Sequence, residues 1–323
     1  MQAIVSRRYG PPDVLRLEER EKPTPGDNEV LIKVRAAAIN PLDWHLMRGM
    51  PYGFRFTTGL RKPKDTRLGM DFSGEVEALG NNVTKLKLGD QVFGACRGSL
   101  AEFVCAPESV TVLKPVNVTF EQAAATPVAA LTALQGLRDK GQLGLGQKVL
   151  INGASGGVGT FAVQLARYLG AEVTAVCSTR NVEMVRSLGA HAVIDYTRDK
   201  FTQAPQRYDV LLDCIGNHSL SACRRILNPT GIYVMVGGPS GRWIAPMGRV
   251  LRMLVLSRFV PQKLLVFMAQ VNAQDLTLLS DLMASEKLIP VIDRRYPLSD
   301  VSTAMRYLEQ GHARGKILIT VGH

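Results

Sequence analysis

Short apolar stretches broken by turn residues fill roughly the first 113 positions of the chain. Ala3–Ser6, Val14–Leu17, Glu29–Arg35, Gly74–Leu79 and Gln91–Phe93 read as strands, separated by Pro11-Pro12, Pro23-Thr24-Pro25-Gly26 and Gly80-Asn81-Asn82. Strands of this length and spacing predict a barrel-like β domain. Thr119-Phe120-Glu121-Gln122 has capping-box spacing and opens an Ala-rich helix expected to run to about Asp139. Beyond it the period switches repeatedly between two and 3.6. Apolar strands are expected at Val149–Ile151, Val173–Cys177, Ala192–Asp195, Val210–Cys214 and Ile232–Val236, with helices between them. That alternation predicts an α/β domain built on a doubly wound parallel sheet. The apolar stretch Val250–Ala269, split by Pro261, reads as a core helix followed by a strand, with a membrane-surface helix as the alternative. The chain from Pro290 to Val321 reads as a return to the first domain, which gives divisions of 1–124, 125–290 and 291–323.

The most informative junction is Lys148-Val-Leu-Ile-Asn-Gly-Ala-Ser-Gly-Gly-Val-Gly-Thr160, a strand, a glycine turn and a helix start in succession. Gly153, Gly156 and Gly159 recur every three residues, with Ser155, Gly157 and Val158 completing the turn. Glycines allow the tight bend and let backbone N–H groups approach a pyrophosphate at the positive end of a helix dipole. A glycine triplet alone is weak, but this one lies between a strand and a helix and is followed by a second strand, Glu172–Cys177. Dinucleotide binding is the expectation.

The end of that second strand separates the two nicotinamide nucleotides. A free ribose 2′-hydroxyl usually meets a carboxylate there, whereas a 2′-phosphate needs donors and cations. The chain reads Cys177-Ser178-Thr179-Arg180-Asn181, with Glu172 at the far end of the strand and no carboxylate in the turn. Ser178 and Arg180 can donate to a phosphate, so NADPH is favoured over NADH. Ser178 or Thr179 can also cap the next helix.

Composition sets the outer bounds. The 323 residues suit two domains, and 46% apolar content supports genuine cores. No run of 18 uncharged apolar residues suggests a membrane span, and the N-terminus enters a strand pattern directly with no signal-peptide core. Five cysteines, Cys96, Cys105, Cys177, Cys214 and Cys223, form no C-x-x-C pair and fit reduced thiols in a cytoplasmic protein. The formal net charge of +11 is uneven. Cys214–Gln274 contains no Asp or Glu but holds Arg224, Arg225, Arg242, Arg249, Arg252, Arg258 and Lys263. Such a field can attract a nucleotide, an anionic substrate, an anionic lipid or a nucleic acid, or can simply keep the surface solvated. No RNP-like aromatic motif is present, and aromatic content is 6%, so nucleic acid is not the expected partner.

Across its full length the chain resembles the medium-chain dehydrogenase/reductase superfamily. The markers are Tyr9-Gly-Pro-Pro-Asp-Val-Leu15, Ala38-Ile-Asn-Pro-Leu-Asp43, Gly69-Met-Asp-Phe-Ser-Gly-Glu-Val76, Gly89-Asp-Gln-Val92, the Gly153–Gly159 turn and Gly311-His-Ala-Arg-Gly-Lys316. The resemblance implies a GroES-like β-barrel catalytic domain from both chain ends around a Rossmann domain. Zinc members carry a Cys, a Gly-His-Glu segment and a four-cysteine lobe. Here the matching positions read Asn40 and Gly69-Met70-Asp71, and no such lobe lies between Phe93 and Phe103. Met70 is a poor zinc ligand and His45 has no partners at metal spacing, so no metal is expected.

The zinc-free branch it resembles contains quinone oxidoreductases and enone and enoyl reductases. That likeness implies hydride transfer from NADPH to a quinone or to the β-carbon of an α,β-unsaturated carbonyl. An enoyl-thioester reductase is a close alternative. An NADPH-binding protein whose main role is association with an anionic polymer or membrane is one of another class. The family's pattern implies Asn40 as a cofactor and active-site residue, and Tyr52 as a hydroxyl donor. Tyr52 lies twelve residues after Asn40 where the family has eleven, which puts its role in question. His45 is an alternative proton donor because imidazole titrates near neutrality, with a satisfied structural histidine as the other reading, and Asp43 is expected to orient Asn40 or the local turn rather than act as an acid. Further cofactor contacts implied by position are Thr132, Gln135, Tyr196, Gly216, Gly237-Gly238 and Lys316 or Arg314. The stretch from Pro51 to Asp65 is expected to wall the substrate cleft. Members of this branch often pair through a late strand of the parallel sheet, here Lys263–Met268, so a homodimer is expected.

Overall fold

The computed structural model describes residues 1–237 and 245–322, with the side chains of 245–247 left aside. Gly238 and Arg242 therefore lie outside the described residues. In chain order the strands are β1 (Gln2–Ser6), β2 (Leu15–Glu19), β3 (Glu29–Ile39), β4 (Asp71–Leu79), β5 (Gln91–Ala95), β6 (Phe103–Pro107) and β7 (Thr111–Leu113). Then come β8 (Lys148–Asn152), β9 (Glu172–Cys177), β10 (Ala192–Asp195), β11 (Tyr208–Asp213), β12 (Leu227–Met235) and β13 (Lys263–Val266). The last two are β14 (Ile292–Pro297) and β15 (Lys316–Thr320). The helices are α1 (Pro41–Arg48), α2 (Arg55–Thr58), α3 (Phe120–Ala124), α4 (Pro127–Gln135) and α5 (Gly157–Tyr168). They continue with α6 (Val182–Ser187), α7 (Leu220–Arg225), α8 (Ala245–Leu256), α9 (Ala273–Ala284) and α10 (Val301–Glu309).

The chain divides into two compact units, Met1–Leu131 with Val271–His323, and Thr132–Gln270. In the first, a seven-stranded sheet runs β14-β15-β3-β4-β5-β7, with β6 also paired to β3. The long strand β3 is its spine, pairing antiparallel with β4, β6 and β15. Val30, Ile32, Val34, Ala37 and Ile39 alternate into a core shared with Phe72, Val92, Ile317 and Ile319. The C-terminal segment is integral to this sheet, since Ile317 stands opposite Ile39 and Ile319 opposite Ala37.

In the second unit all pairings are parallel, in the order β10-β9-β8-β11-β12-β13. The chain moves outward from β8 in one direction and from β11 in the other. Their carboxyl ends therefore flank the switch point at which doubly wound sheets bind ligands. Val149, Leu150 and Ile151 of β8 are fully buried, as a central strand covered on both faces requires. The expected core helix and strand of the 250–269 stretch are α8 and β13.

One element differs from expectation. The single helix from Thr119 to Asp139 is instead α3, α4 and a π-helical turn over Gly136–Lys140. Pro127 has no N–H with which to continue α3, and Thr126 Oγ1 instead donates to the Gln122 carbonyl at 2.9 Å. At the far end, Gln135 Nε2 donates to the Gln270 carbonyl at 2.8 Å, while its Oε1 accepts the Gln270 N–H at 2.9 Å. Among the described residues, no helix is long and apolar enough to cross a membrane.

The glycine turn between β8 and α5 contains two kinds of glycine. Gly153 has φ +85°, and a Cβ on Gly159 would lie 2.1 Å from the Gly153 carbonyl oxygen. Internal sterics demand both. Gly156, the N-cap of α5, has an ordinary extended backbone and its nearest would-be contact is 3.5 Å away. Gly159→Ala should therefore cost about 1–3 kcal/mol by overpacking, and Gly156→Ala less than about 1 kcal/mol. Urea unfolding of the two variants checks the difference.

Candidate active site

In the first unit, a buried polar cluster forms where β3 ends, β4 begins and β15 returns. Asp71 is fully buried. Its Oδ2 accepts from Asn40 Nδ2 at 2.9 Å and from Lys316 Nζ at 3.0 Å, and its Oδ1 accepts the Val128 N–H of α4 at 2.9 Å. Lys316 Nζ also donates to Asn40 Oδ1 at 2.6 Å. An ammonium cannot accept and a carboxylate cannot donate, so the Asn40 carboxamide has one possible orientation. One Asn40 N–H is left for anything else. Lys316 is only 3% exposed, so its ammonium is spent inside this unit.

Asp43, also fully buried, accepts the Asn40 N–H at 2.8 Å and the Gly69 N–H at 3.1 Å. Burial pushes its carboxyl up to about 7, against the pull of those two N–H groups. These bonds tie the Asn40 backbone to the turn before β4.

His45 is placed differently from expectation. Its Nδ1 lies 2.8 Å from the Met50 carbonyl, which can only accept, so Nδ1 carries the proton and Nε2 holds a lone pair. Burial lowers its pKa against the pull of the Met50 carbonyl, and so favours the neutral ring. In the neutral form Nε2 is an acceptor, which weighs against His45 as a proton donor. Tyr52 opens the segment that follows, where the Arg55 guanidinium lies 4.6 Å from its ring centroid and 4.5 Å from that of Tyr9. Phe56 and Leu60 in the same segment are largely exposed, so this stretch offers an apolar surface. Arg314 donates its N–H to Asp293 at 3.0 Å.

The second unit carries the nucleotide-site candidates. Asn152 and Asp213 are neighbours in register at the carboxyl ends of β8 and β11, with Asn152 Nδ2 donating to Asp213 Oδ1 at 2.8 Å. That oxygen also accepts the N–H groups of Ile215 at 3.1 Å and Gly216 at 2.8 Å. Asp213 Oδ2 accepts from Tyr233 Oη at 2.7 Å, and Arg249 Nη2 donates to the same Tyr233 oxygen at 2.6 Å. Burial and the adjacent carboxylate hold the Tyr233 phenol well above its usual pKa. The Gly216 N–H is thus consumed internally. Gly237 is constrained too, because a Cβ there would lie 2.0 Å from the Cys214 carbonyl oxygen.

Beside the glycine turn, buried Asn181 contacts both Ser155 Oγ and Ser178 Oγ at 3.0 Å, tying the turn to the end of β9. Arg180 is exposed in the 3-10 turn Thr179–Asn181. Tyr196 is exposed just after β10, its N–H bonded to the Cys177 carbonyl at 3.0 Å. Thr132 lies on α4. One expectation needs correction, since a carboxylate does stand near this turn. Asp195 is opposite Cys177 in register and accepts from Thr179 Oγ1 at 2.5 Å. The Thr179 bond, the N–H and hydroxyl of Thr197, and Arg198 at 3.8 Å hold it ionised with its charge locally answered. Sequence reading missed it because it arrives from the next strand.

Two tests of fit follow from this geometry. The open Gly156 position, the α5 N-terminus and the Ser155–Asn181–Ser178 set suit an anionic dinucleotide. Asn40 and Asp71 do not fit a zinc ion, because the Lys316 ammonium already sits against both. Among the described residues no group of three or more His, Cys, Asp or Glu could hold a metal ion. The thiols are poor nucleophiles, as burial pushes Cys96 and Cys223 up to about 12 and Cys105 and Cys177 up to about 11. Asp71 entered the sequence reading only as part of the Gly69-Met70-Asp71 segment, and Asn152, Asp213 and Tyr233 were not singled out as site residues. A polar residue ending an apolar strand was the available signal for Asn152 and Asp213.

Comparison with known proteins agrees with this architecture. Residues 26–116 match the alcohol dehydrogenase GroES-like domain, and residues 188–319 match the family described as zinc-binding dehydrogenase. The chain is 35% identical to a chloroplast envelope quinone oxidoreductase homolog of Arabidopsis thaliana, covering 92% of this chain and 91% of that protein. It is also 35% identical to an NADPH-dependent alkenal/one oxidoreductase, chloroplastic, of the same plant, over 99% of this chain and 79% of the relative. The solved quinone oxidoreductase of Coxiella burnetii superposes with a TM-score of 0.88 at 33% identity, covering 100% of this chain and 99% of that one. A barrel-like unit from both chain ends, a doubly wound parallel sheet and full-length relatives together place this chain in the medium-chain dehydrogenase/reductase superfamily, in its quinone oxidoreductase-like branch.

Proposed function

We propose that this protein reduces quinones or α,β-unsaturated carbonyls with NADPH and without a metal ion. The observation that carries the reading is the α5 N-terminus. Gly156 there has no internal steric reason to be glycine, and the Ser155 and Ser178 hydroxyls are held beside it. The names of the full-length relatives, quinone and alkenal/one oxidoreductases, support the substrate class. NADPH, when bound, supplies the hydride.

The chain's own residues have separable tasks. N–H groups of the Gly156–Gly159 segment would hold the pyrophosphate, and Ser178 and Arg180 the 2′-phosphate. The exposed Tyr196 ring would lie against adenine. In the first unit, Asn40 would offer its one unspent Nδ2–H, with Lys316 and Asp71 fixing its direction. Donors aimed at the acceptor oxygen stabilise the charge that develops there, and Tyr52 is the hydroxyl we assign to that task. A metal-free mechanism is supported by the Lys316 ammonium, which would repel a divalent cation from Asn40 and Asp71. For assembly we propose a homodimer through the β13 edge, since β13 is the outermost strand of its sheet.

The reaction class is tested by following NADPH consumption with a quinone, an enal, an enoyl thioester and a saturated ketone in parallel. Turnover of the first two is expected without added zinc. Turnover confined to the enoyl thioester would move the assignment to a thioester reductase. Oxidation of saturated alcohols alone, or dependence on stoichiometric zinc, would defeat the reading.

Arg180→Gln should weaken NADPH binding by about ten- to a hundredfold while leaving NADH nearly unchanged, the effect of one charge-assisted bond to phosphate. Titration of the variant with both nucleotides measures the split. Lys316→Met leaves a buried carboxylate without its cation and should lower stability by about 3–5 kcal/mol. Chemical denaturation reads that loss directly.

A further inference from the structure

The helix α8 is apolar on two sides, and among the described residues one of them is left uncovered. Met253 is buried, and Val250, Leu256 and Val260 pack with it against the core around Tyr233 and Leu264. The opposite side carries Leu251, Leu254 and Val255, exposed by 63, 60 and 55%, and Phe259 in the next turn at 79%. These positions are spaced i, i+3, i+4 and i+8, so they form one stripe along the helix axis. A groove of about 840 Å³ runs beside the stripe, lined by Leu220, Leu251, Val255, Leu256 and Phe259. Soluble monomers seldom leave a contiguous apolar face of this kind open to water.

Within this stretch of chain the charges on and beside the stripe are of one sign. Arg252 and Arg258 are exposed on and just after α8. No Asp or Glu occurs between Cys214 and Gln274, and no carboxylate lines the groove.

We propose that this face of α8 docks the protein on a bilayer containing anionic lipid. A two-fold interface would set the stripe against itself and bring Arg252 and Arg258 near their own copies, with no acidic residue of this stretch to answer them. A nucleic acid would satisfy the cations but leave Leu251, Leu254 and Phe259 uncovered. A lipid surface satisfies both, with headgroup phosphates for the arginines and the acyl boundary for the apolar stripe. The inference depends on this surface alone and not on the reaction assigned above.

Flotation of the full chain with phosphatidylcholine vesicles, with and without phosphatidylglycerol, tests it. The protein should float only with the anionic vesicles, and added salt should weaken the association. Arg252→Gln with Arg258→Gln should reduce binding by about tenfold or more, and Leu251→Ser, Val255→Ser and Phe259→Ser together should abolish it. Both variants should retain wild-type NADPH consumption with a water-soluble acceptor, which also reports that they fold. Three results would overturn the proposal. The wild type could stay in the soluble fraction, or the serine variant could bind anionic vesicles as well as the wild type. In the third, sedimentation would show the serine variant turning an oligomer into a monomer, which would make a second copy the occupant. If the wild type consumes no NADPH with any acceptor, the proposed reaction fails, yet flotation still decides the docking.

Discussion

A buried carboxylate at Asp71 is the constraint around which the first unit is arranged. Removing such a charge from water costs several kcal/mol unless its lone pairs are met. Here they are met by an amide, an ammonium and the first turn of α4, contributed by residues 40, 316 and 128. Satisfying Asp71 therefore requires β3, α4 and the C-terminal strand to assemble together. The same arrangement fixes the carboxamide of Asn40. One set of hydrogen bonds both satisfies the buried charge and orients that amide.

Asp213 plays the corresponding part in the second unit. From the carboxyl end of β11 it gathers Asn152, the N–H groups of Ile215 and Gly216, and Tyr233 with its partner Arg249. That network closes the loop after β11 and consumes donors that a nucleotide would otherwise have met. The result is a division of labour between neighbouring turns. The loop after β11 is internally hydrogen-bonded through Asp213, whereas the turn after β8 keeps an open backbone position at Gly156.

The two apolar surfaces not used for packing also differ in kind. The segment after Tyr52 places Phe56 and Leu60 in solvent beside a cation stacked on two tyrosine rings. Along α8 the exposed residues form a regular helical stripe with Arg252 and Arg258 beside it. The first resembles the wall of a small-molecule site, and the second the underside of a peripheral membrane helix.

Local pattern was enough to read much of the chain. The run Val149–Ile151 followed by glycines at 153, 156 and 159 specifies strand, turn and helix within about a dozen residues, because each signal acts over one or two turns of backbone. The successive strands of the parallel sheet, and β13 after Pro261, were legible for the same reason. Tertiary structure decided what depends on partners distant in sequence. Lys316 reads as a nucleotide contact until folding brings it against Asn40, 276 positions away. His45 reads as a proton donor until the Met50 carbonyl fixes its tautomer. The turn at Thr179 reads as free of carboxylates until β10 sets Asp195 beside it. Sequence determines which backbone path is favourable locally; the protonation, orientation and availability of a polar group are settled by whatever charge or dipole the fold delivers to it.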